Sequence, residues 1–243
     1  MALIRLNKYL SICGVASRRG AEAMITEKRV SINDQTVEEQ GVVVNTETDT
    51  VKVDGEVVAP VETKVYVMFN KPRQVMTTLD DPFKRKTVVH FLKELGERVY
   101  PVGRLDYDAE GLLLLTNDGD LAYRLAHPRY EIAKIYETLV DGRFTHEDGE
   151  TIRKGVPLED GATGHAAVSI LGFVRHDTRI RLVLTEGRKR EVKQLCKHVG
   201  HPVKRLRRVE YAGLPLKNLN PGQFRHLTDH EVKRLRQMVG LTN

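Results

Sequence analysis

The sequence predicts an α+β chain in two parts: a small helix–helix–hairpin domain over residues 1–61, and a larger domain over 62–243 whose mainly antiparallel mixed sheet is flanked by helices. Three observations carry that expectation. Leu6, Tyr9, Leu10 and Cys13 recur at helical spacing and are followed by a second helical period and then by the alternating Val30-Ser31-Ile32. Ala59-Pro60-Val61-Glu62 interrupts the pattern as a hinge. Beyond it, short alternating or β-rich runs are interspersed with amphipathic helical stretches, the pattern of one twisted sheet with helices packed on it.

In chain order, Gly14 is placed to cap the first helix at its carboxyl end, and Ser17 starts a second that carries Ala21, Met24, Ile25 and Lys28. Val30-Ser31-Ile32 then runs as a strand into an Asn33-Asp34 turn. After the hinge, Val65-Tyr66-Val67-Met68-Phe69 opens the larger domain as an apolar strand. Helices are expected over 88–95, 120–126, 146–154, 189–199 and 229–239, two of them signed by capping-box spacing, Thr145 with Asp148 and Thr228 with Glu231. Strands are expected over 111–116, 133–141, 165–171, 179–185 and 203–210.

A net charge of +6 over 243 residues favours a polyanionic partner, and its distribution says more than its size. Residues 34–62 carry eight acids against Lys52 alone, whereas 186–208 carry nine bases against Glu186 and Glu191. Arg5, Lys8, Arg18, Arg19, Lys28 and Arg29 are the bases of the first domain that could meet a duplex backbone as phosphate contacts, the alternative being a solvated helical face. Cys13 and Cys196 form no CxxC or Cys-His ligand set, so a reduced compartment and no structural zinc are expected. No stretch reaches the length of a membrane span, and Met1-Ala2-Leu3-Ile4 leads into a charged segment without a signal-like apolar run; the cytoplasm is the expected location.

Three segments could carry chemistry. Gly103-Arg104-Leu105-Asp106 lies between a short strand and the apolar run Gly111-Leu112-Leu113-Leu114-Leu115, so its charges sit on a loop mounted at both ends. Arg104 and Asp106 would share a side if locally extended, although such a pair can also simply tie down a loop. On 189–199, Val192, Leu195, Cys196 and Val199 form a buried stripe, leaving Arg188, Arg190, Lys193 and Lys197 near the helix start or on its open side as an anion site. A merely soluble basic helix is the alternative. In Ala133-Lys134-Ile135-Tyr136, the Tyr136 ring beside a cation suits base stacking, and it suits a core position equally well.

Together these segments resemble the ribosomal RNA pseudouridine synthases of the small- and large-subunit uridine type, over nearly the whole chain. Residues 3–50 resemble the RNA-binding module first known from ribosomal protein S-four, through Leu6-Asn7-Lys8-Tyr9-Leu10 and Gly14-Val15-Ala16-Ser17-Arg18-Arg19; the usual Asn-Gly of its hairpin is Asn33-Asp34 here. Gly103-Arg104-Leu105-Asp106 with Thr116-Asn117-Asp118-Gly119 is similar to the catalytic signature, which implies that Asp106 is the essential aspartate and that Arg104 neighbours an extruded nucleotide. Lys134-Ile135-Tyr136 matches the Lys-x-Tyr strand, implying that Tyr136 stacks on the target uracil. Glu186-Gly187-Arg188-Lys189-Arg190-Glu191-Val192-Lys193 matches the third motif, where the resemblance implies a basic partner for the aspartate: Arg188 is preferred and Lys193 is the alternative. Asn70-Lys71-Pro72, His127-Pro128 and Gly222-Gln223-Phe224-Arg225-His226-Leu227-Thr228 also fit.

The implied reaction requires no metal or organic cofactor, and the implied partner is ribosomal RNA or a ribosomal subunit assembly intermediate, met by a monomer. Leu158-Glu159-Asp160-Gly161 and the stretch from Arg188 to Lys193 lean toward the large-subunit branch. Two rivals remain open. Asp106, Asp108, Asp118 and Asp120 could ligate magnesium in a nuclease, although Asp118-Gly119-Asp120 reads better as a turn and helix cap. A non-catalytic RNA-binding assembly factor would use the first domain and the basic helix, and would leave Asp106 without a purpose. His198 and His201 are read as incidental.

Overall fold

The computed structural model describes residues 3–241; Met1 and Ala2, the start of the N-terminal segment read above, lie outside them. The chain divides into two compact units, Met1–Lys64 and Val65–Asn243, where the hinge expectation puts the boundary after Val61.

The first unit contains β1 (Leu3–Arg5), α1 (Leu6–Ile12), α2 (Arg18–Thr26), β2 (Val30–Ile32), β3 (Gln35–Thr36), β4 (Val43–Asn45), β5 (Val51–Val53) and β6 (Glu56–Val57). Strand β1 pairs antiparallel with β4, and the others form a sheet in the order β3-β2-β5-β6. Ser17 caps α2 by accepting the Gly20 N–H at 3.0 Å. Asn33 and Asp34 both take left-handed backbones, φ 49° and 65°, as a two-residue hairpin turn demands, with Ile32 opposite Gln35. Asn33 is further held by the Thr50 N–H at 2.9 Å and by Asp49 at 3.0 Å, so the turn stays tight without its usual glycine. Leu6, Leu10, Ile25, Val44 and Val51 close the core beneath.

The second unit runs β7 (Tyr66–Lys71), β8 (Tyr100–Pro101), β9 (Glu110–Thr116), α3 (Gly119–Ala126), β10 (Lys134–Val140), α4 (His146–Lys154), β11 (Val156–Pro157), β12 (Thr163–Gly164), β13 (Ala167–Val174), β14 (Asp177–Leu184), α5 (Glu191–His198), β15 (Val203–Tyr211), β16 (Leu214–Pro215), β17 (Phe224–His226) and α6 (Asp229–Met238). Its nine-stranded sheet has the order β13-β14-β10-β15-β9-β7-β17, with β16 on β15 and β8 on β9. All its pairings are antiparallel except β15 with β9. The middle of β9, Leu112 to Leu115, is continuously apolar because both its faces are covered. Leu113 and Leu115 join Val67 and Phe69 in one core, while Leu112 and Leu114 join Met68, Leu121 of α3 and Leu235 of α6 in another. Both expected capping boxes are formed, at α4 and α6.

Two local features set up the site. Where β9 meets β15, Gly111 has φ +113° and no room for a side chain: a Cβ there would lie 2.2 Å from the Arg208 carbonyl oxygen. On β15, the register with β10 slips between Ile135, opposite Glu210, and Tyr136, opposite Arg208, leaving Val209 as an extra residue. This bulge breaks the two-residue alternation, so that Leu206, Arg208 and Tyr211 are all buried.

The structure differs from expectation at two helices. Residues 88–95 form two short 3₁₀ turns, Val88–Phe91 and Lys93–Leu95, in place of one α-helix. Thr87 and His90 satisfy the first turn locally, Leu92 departs to φ −112°, ψ 11°, and adjacent β-branched Val88 and Val89 add little helical preference. Helix α5 begins at Glu191, since Arg190 sits in the left-handed region at φ 54°. Among the described residues no helix is long and apolar enough to cross a membrane.

Candidate active site

The loop between β8 and β9 is clamped along its length. The Thr77 hydroxyl accepts the Leu105 N–H at 3.3 Å and donates to the Leu105 carbonyl at 2.7 Å. The Tyr107 carbonyl accepts from Gln74 N–H at 2.7 Å, and Ala109 N–H turns back to the Asp106 carbonyl at 3.1 Å. With Leu105 and Ala109 buried, the intervening Asp106 is held half-exposed at the mouth of a cavity of about 110 Å³. Arg104, exposed, lines the same cavity.

The cation that meets Asp106 is Lys193 of α5. Its Nζ lies 3.3 Å from Asp106 Oδ2 and 2.5 Å from Asp108 Oδ1. Burial works against ionisation of Asp108, but the Lys193 hydrogen bond and charge, with Arg190 nearby, outweigh it and leave this carboxyl below its usual range. The preference for Arg188 as partner of Asp106 is therefore corrected to Lys193. The Arg188 guanidinium is taken by Glu186 at 2.7 Å and Asp160 at 3.1 Å, and its N–H is received by Glu191 at 2.9 Å. The physical reason is the left-handed Arg190, which delays the helix and turns Lys193, two residues inside it, toward the loop. Glu191 also modifies the expected anion site: its buried carboxyl, raised above its usual range by desolvation, accepts a backbone N–H at the helix start. No Arg104–Asp106 loop tie is present among the contacts of the described residues.

The inner wall comes from β10 and β15. Tyr136 is 9 % exposed; it is a core residue and also a wall of the cavity. Its cross-strand partner Arg208, 2 % exposed, lines the cavity too, donates through Nε to the Leu112 carbonyl at 2.7 Å and approaches the Tyr136 hydroxyl at 3.5 Å. Its Nη2 has no hydrogen-bond partner. Lys134, also lining the cavity and buried, donates to the carbonyls of Ile132 and Thr185 at 3.0 and 3.1 Å. Lys71 at the end of β7 is fully buried and donates to the carbonyls of Pro72 and Val75. Desolvation pulls Lys134 and Lys71 each down to about 8.

Arg208 was legible only as one more base in a basic stretch. The usable signal was its spacing two residues from Leu206 on the same strand, obscured because the bulge resets the alternation before Tyr211.

Of the remaining sequence-marked bases, Arg190 just ahead of α5 and Lys197 on it are exposed. In the first unit Arg5, Arg18 and Arg19 are exposed and Lys8 is half-buried. Lys28 and Arg29 are engaged within that unit, Lys28 with Glu38 at 2.8 Å and Arg29 with Asp54 at 2.7 Å, because the acid-rich segment folds back against them. Asp118 serves α3 as its cap, accepting from Leu121 N–H, the Tyr66 hydroxyl and Arg236. His201 is bound to Asp141 and Asp148. Among the described residues no three His, Cys, Asp or Glu side chains gather as a metal site.

Residues 65–198 match the family model described as RNA pseudouridylate synthase, and residues 4–51 match the S4 domain. An uncharacterized RNA pseudouridine synthase of Aquifex aeolicus is 44% identical over 242 residues, covering 99% of this chain and 97% of that one. Ribosomal large subunit pseudouridine synthase B of Bacillus subtilis is 44% identical over 237 residues, covering 97% and 96%. A solved pseudouridylate synthase superposes with a TM-score of 0.70 at 28% identity, covering 96% of this chain and 99% of that one. The clamped aspartate loop, its lysine partner and the buried tyrosine thus stand in a chain that belongs to the RNA pseudouridylate synthase family, with an S4 domain ahead of its catalytic domain.

Proposed function

We propose that this protein isomerises a uridine of large-subunit ribosomal RNA to pseudouridine, with Asp106 as the catalytic carboxylate. The observation that carries the reading is the placement of Asp106 on a loop fixed from both sides, 3.3 Å from Lys193, at the mouth of a cavity walled by Tyr136. The likeness to Bacillus subtilis ribosomal large subunit pseudouridine synthase B, at 44% identity over almost all of both chains, supports the large subunit as substrate.

The reaction breaks the glycosidic bond, turns the uracil and rejoins it through carbon. A base inside a duplex cannot be reached, so the nucleotide leaves the stack at a cost of a few kcal/mol. Arg104, exposed at the cavity mouth, takes the place vacated or the phosphate beside it, and Tyr136 stacks on the uracil. Lys193 holds the Asp106 carboxylate in position for its attack or proton removal. Arg18 and Arg19 of the S4 domain, with Arg190 ahead of α5 and Lys197 on it, supply phosphate contacts. Cytoplasmic action on free RNA or on an assembly intermediate follows from this substrate.

The test is to map pseudouridine in ribosomal RNA from a strain lacking this chain, then to complement it with the unchanged protein or with Asp106→Asn. The expected result is one missing large-subunit site, restored only by the unchanged protein. A missing small-subunit site would overturn the substrate, and restoration by Asp106→Asn would overturn the catalytic assignment.

A further inference from the structure

The cavity has a buried positive wall that none of the roles above uses. Lys134 and Arg208 both line it, are 6 % and 2 % exposed, and both approach the Tyr211 ring, Lys134 Nζ 5.7 Å and the Arg208 guanidinium carbon 4.7 Å from its centroid. Their hydrogen bonds end on the backbone carbonyls of Ile132, Thr185 and Leu112 and on the neutral Tyr136 hydroxyl. Among the described residues neither is ion-paired with a carboxylate. Glu186 and Glu191 act on Lys134 only from a distance, and Glu191 spends its carboxylate on the Arg188 N–H. Two neighbouring buried cations held by carbonyl dipoles alone are costly, and that cost is borne in the wall of the cavity beside Asp106.

Resting on the reading of this site as a uridine isomerase, we infer that Lys134 and Arg208 form an electrostatic floor that stabilises the negative charge carried by uracil while it is parted from the ribose. When the glycosidic bond breaks, its electron pair leaves with the ring nitrogen and spreads over the two uracil carbonyl oxygens. When the new bond forms, a ring carbon donates a pair to the same sugar carbon and loses its proton, and the freed nitrogen takes one up, so that product and substrate are isomers. Between those events the base is an anion, and fixed cations beside it need no reorganisation to meet it. The Nη2 of Arg208, which has no partner in the protein, is the donor available to such a charge. The bulge at Val209 is what allows it, by turning Arg208 and Tyr211 to the same side as Tyr136 and Lys134.

The experiment uses the full chain with in vitro transcribed large-subunit ribosomal RNA and measures single-turnover pseudouridine formation, RNA affinity and melting temperature. Lys134→Met and Arg208→Met are each expected to slow turnover by about 100-fold or more with RNA affinity changed less than about threefold. Arg208→Lys, which keeps the charge, is expected to recover most of the rate lost in Arg208→Met. Lys134→Met keeps the side-chain length but leaves the Ile132 and Thr185 carbonyls unpaired, so its rate is read at a temperature well below its own melting point, where a loss reports function and not unfolding. Wild-type turnover in both methionine variants while Asp106→Asn is inactive would overturn the floor and leave the catalytic reading intact. Equal rates in Arg208→Lys and Arg208→Met would overturn it as well, since charge would then not be what matters. Full activity of Asp106→Asn would strike the underlying reading instead.

Discussion

Lys193 Nζ stands between two carboxylates, 3.3 Å from Asp106 and 2.5 Å from Asp108, and so ties helix α5 to the loop ahead of β9. Asp108 is the more tightly bound partner yet is more than half exposed, whereas the side chain of Asp106 is about one-third exposed at the cavity. Lys193 therefore has a second anchor besides Asp106. Lys193→Met should lower single-turnover pseudouridine formation by about 100-fold. Arg188→Met, which breaks contacts to Glu186 and Asp160 only, should cost less than about tenfold. The reverse order in the same assay would restore Arg188 as the partner of the aspartate.

Gly111 is a test of the scaffold. A methyl at this residue would lie 2.2 Å from the Arg208 carbonyl oxygen with φ at +113°, so the β9–β15 pairing must open to admit it. Gly111→Ala should destabilise the catalytic domain by about 3 kcal/mol or more, read as a lower urea midpoint. An unchanged midpoint would show that the close approach of the two strands is not required.

At the carboxyl end, Glu231 receives both Arg225 nitrogens, at 2.8 and 2.7 Å, and the Thr228 N–H at 2.9 Å. The Arg225 hydrogen bonds, against an opposing desolvation, pull its carboxyl from 4.5 down to about 2. A carboxyl lowered in the folded state stabilises fully above its unfolded value and loses that contribution as pH falls through the folded one. Glu231→Gln should therefore cost about 1–2 kcal/mol at neutral pH. The difference from the unchanged protein should shrink as pH drops from 4.5 toward 2. A constant difference across that window, measured by denaturant unfolding, would mean that packing and not charge is responsible.

The basic residues of the S4 domain should separate into two groups. Arg18 and Arg19 are exposed in the first turn of α2, whereas Arg29 is bound to Asp54. Arg18→Ala and Arg19→Ala should each weaken RNA binding and reduce the slope of log affinity against log salt by about 1. Arg29→Ala should leave that slope nearly unchanged. Filter binding over a range of salt concentrations distinguishes the groups, and equal slopes for all three variants would contradict the division.

Where local chemistry alone decides structure, the sequence was readable. Ser17, Thr145 and Thr228 each cap the helix they announce, because a cap depends on residues within one turn. The loop bearing Asp106 could be located from its flanking apolar runs for the same reason. The partner of that aspartate could not: Arg188 and Lys193 carry the same charge, and the choice between them turns on a single left-handed residue, Arg190, that no composition marks. Residues 88–95 were misjudged because apolar spacing does not distinguish an α-helix from two 3₁₀ turns broken at Leu92. Arg208 escaped because burial of a charge depends on a strand register made across the sheet, to β10 and β9, which are distant in the chain.

The extra residue at Val209 makes the site depend on how many residues β15 contains as well as on which they are. Exchanging Val209 for another apolar residue leaves the count intact and the catalytic wall in place. Removing it would set Arg208 and Tyr211 two residues apart, the spacing at which a regular strand already keeps both on one side, whereas removing one residue more would make them adjacent and send one to the opposite side of the sheet, a loss that no point substitution mimics. Insertions and deletions in this strand are thus the changes by which a relative could keep every signature residue and still lose the reaction.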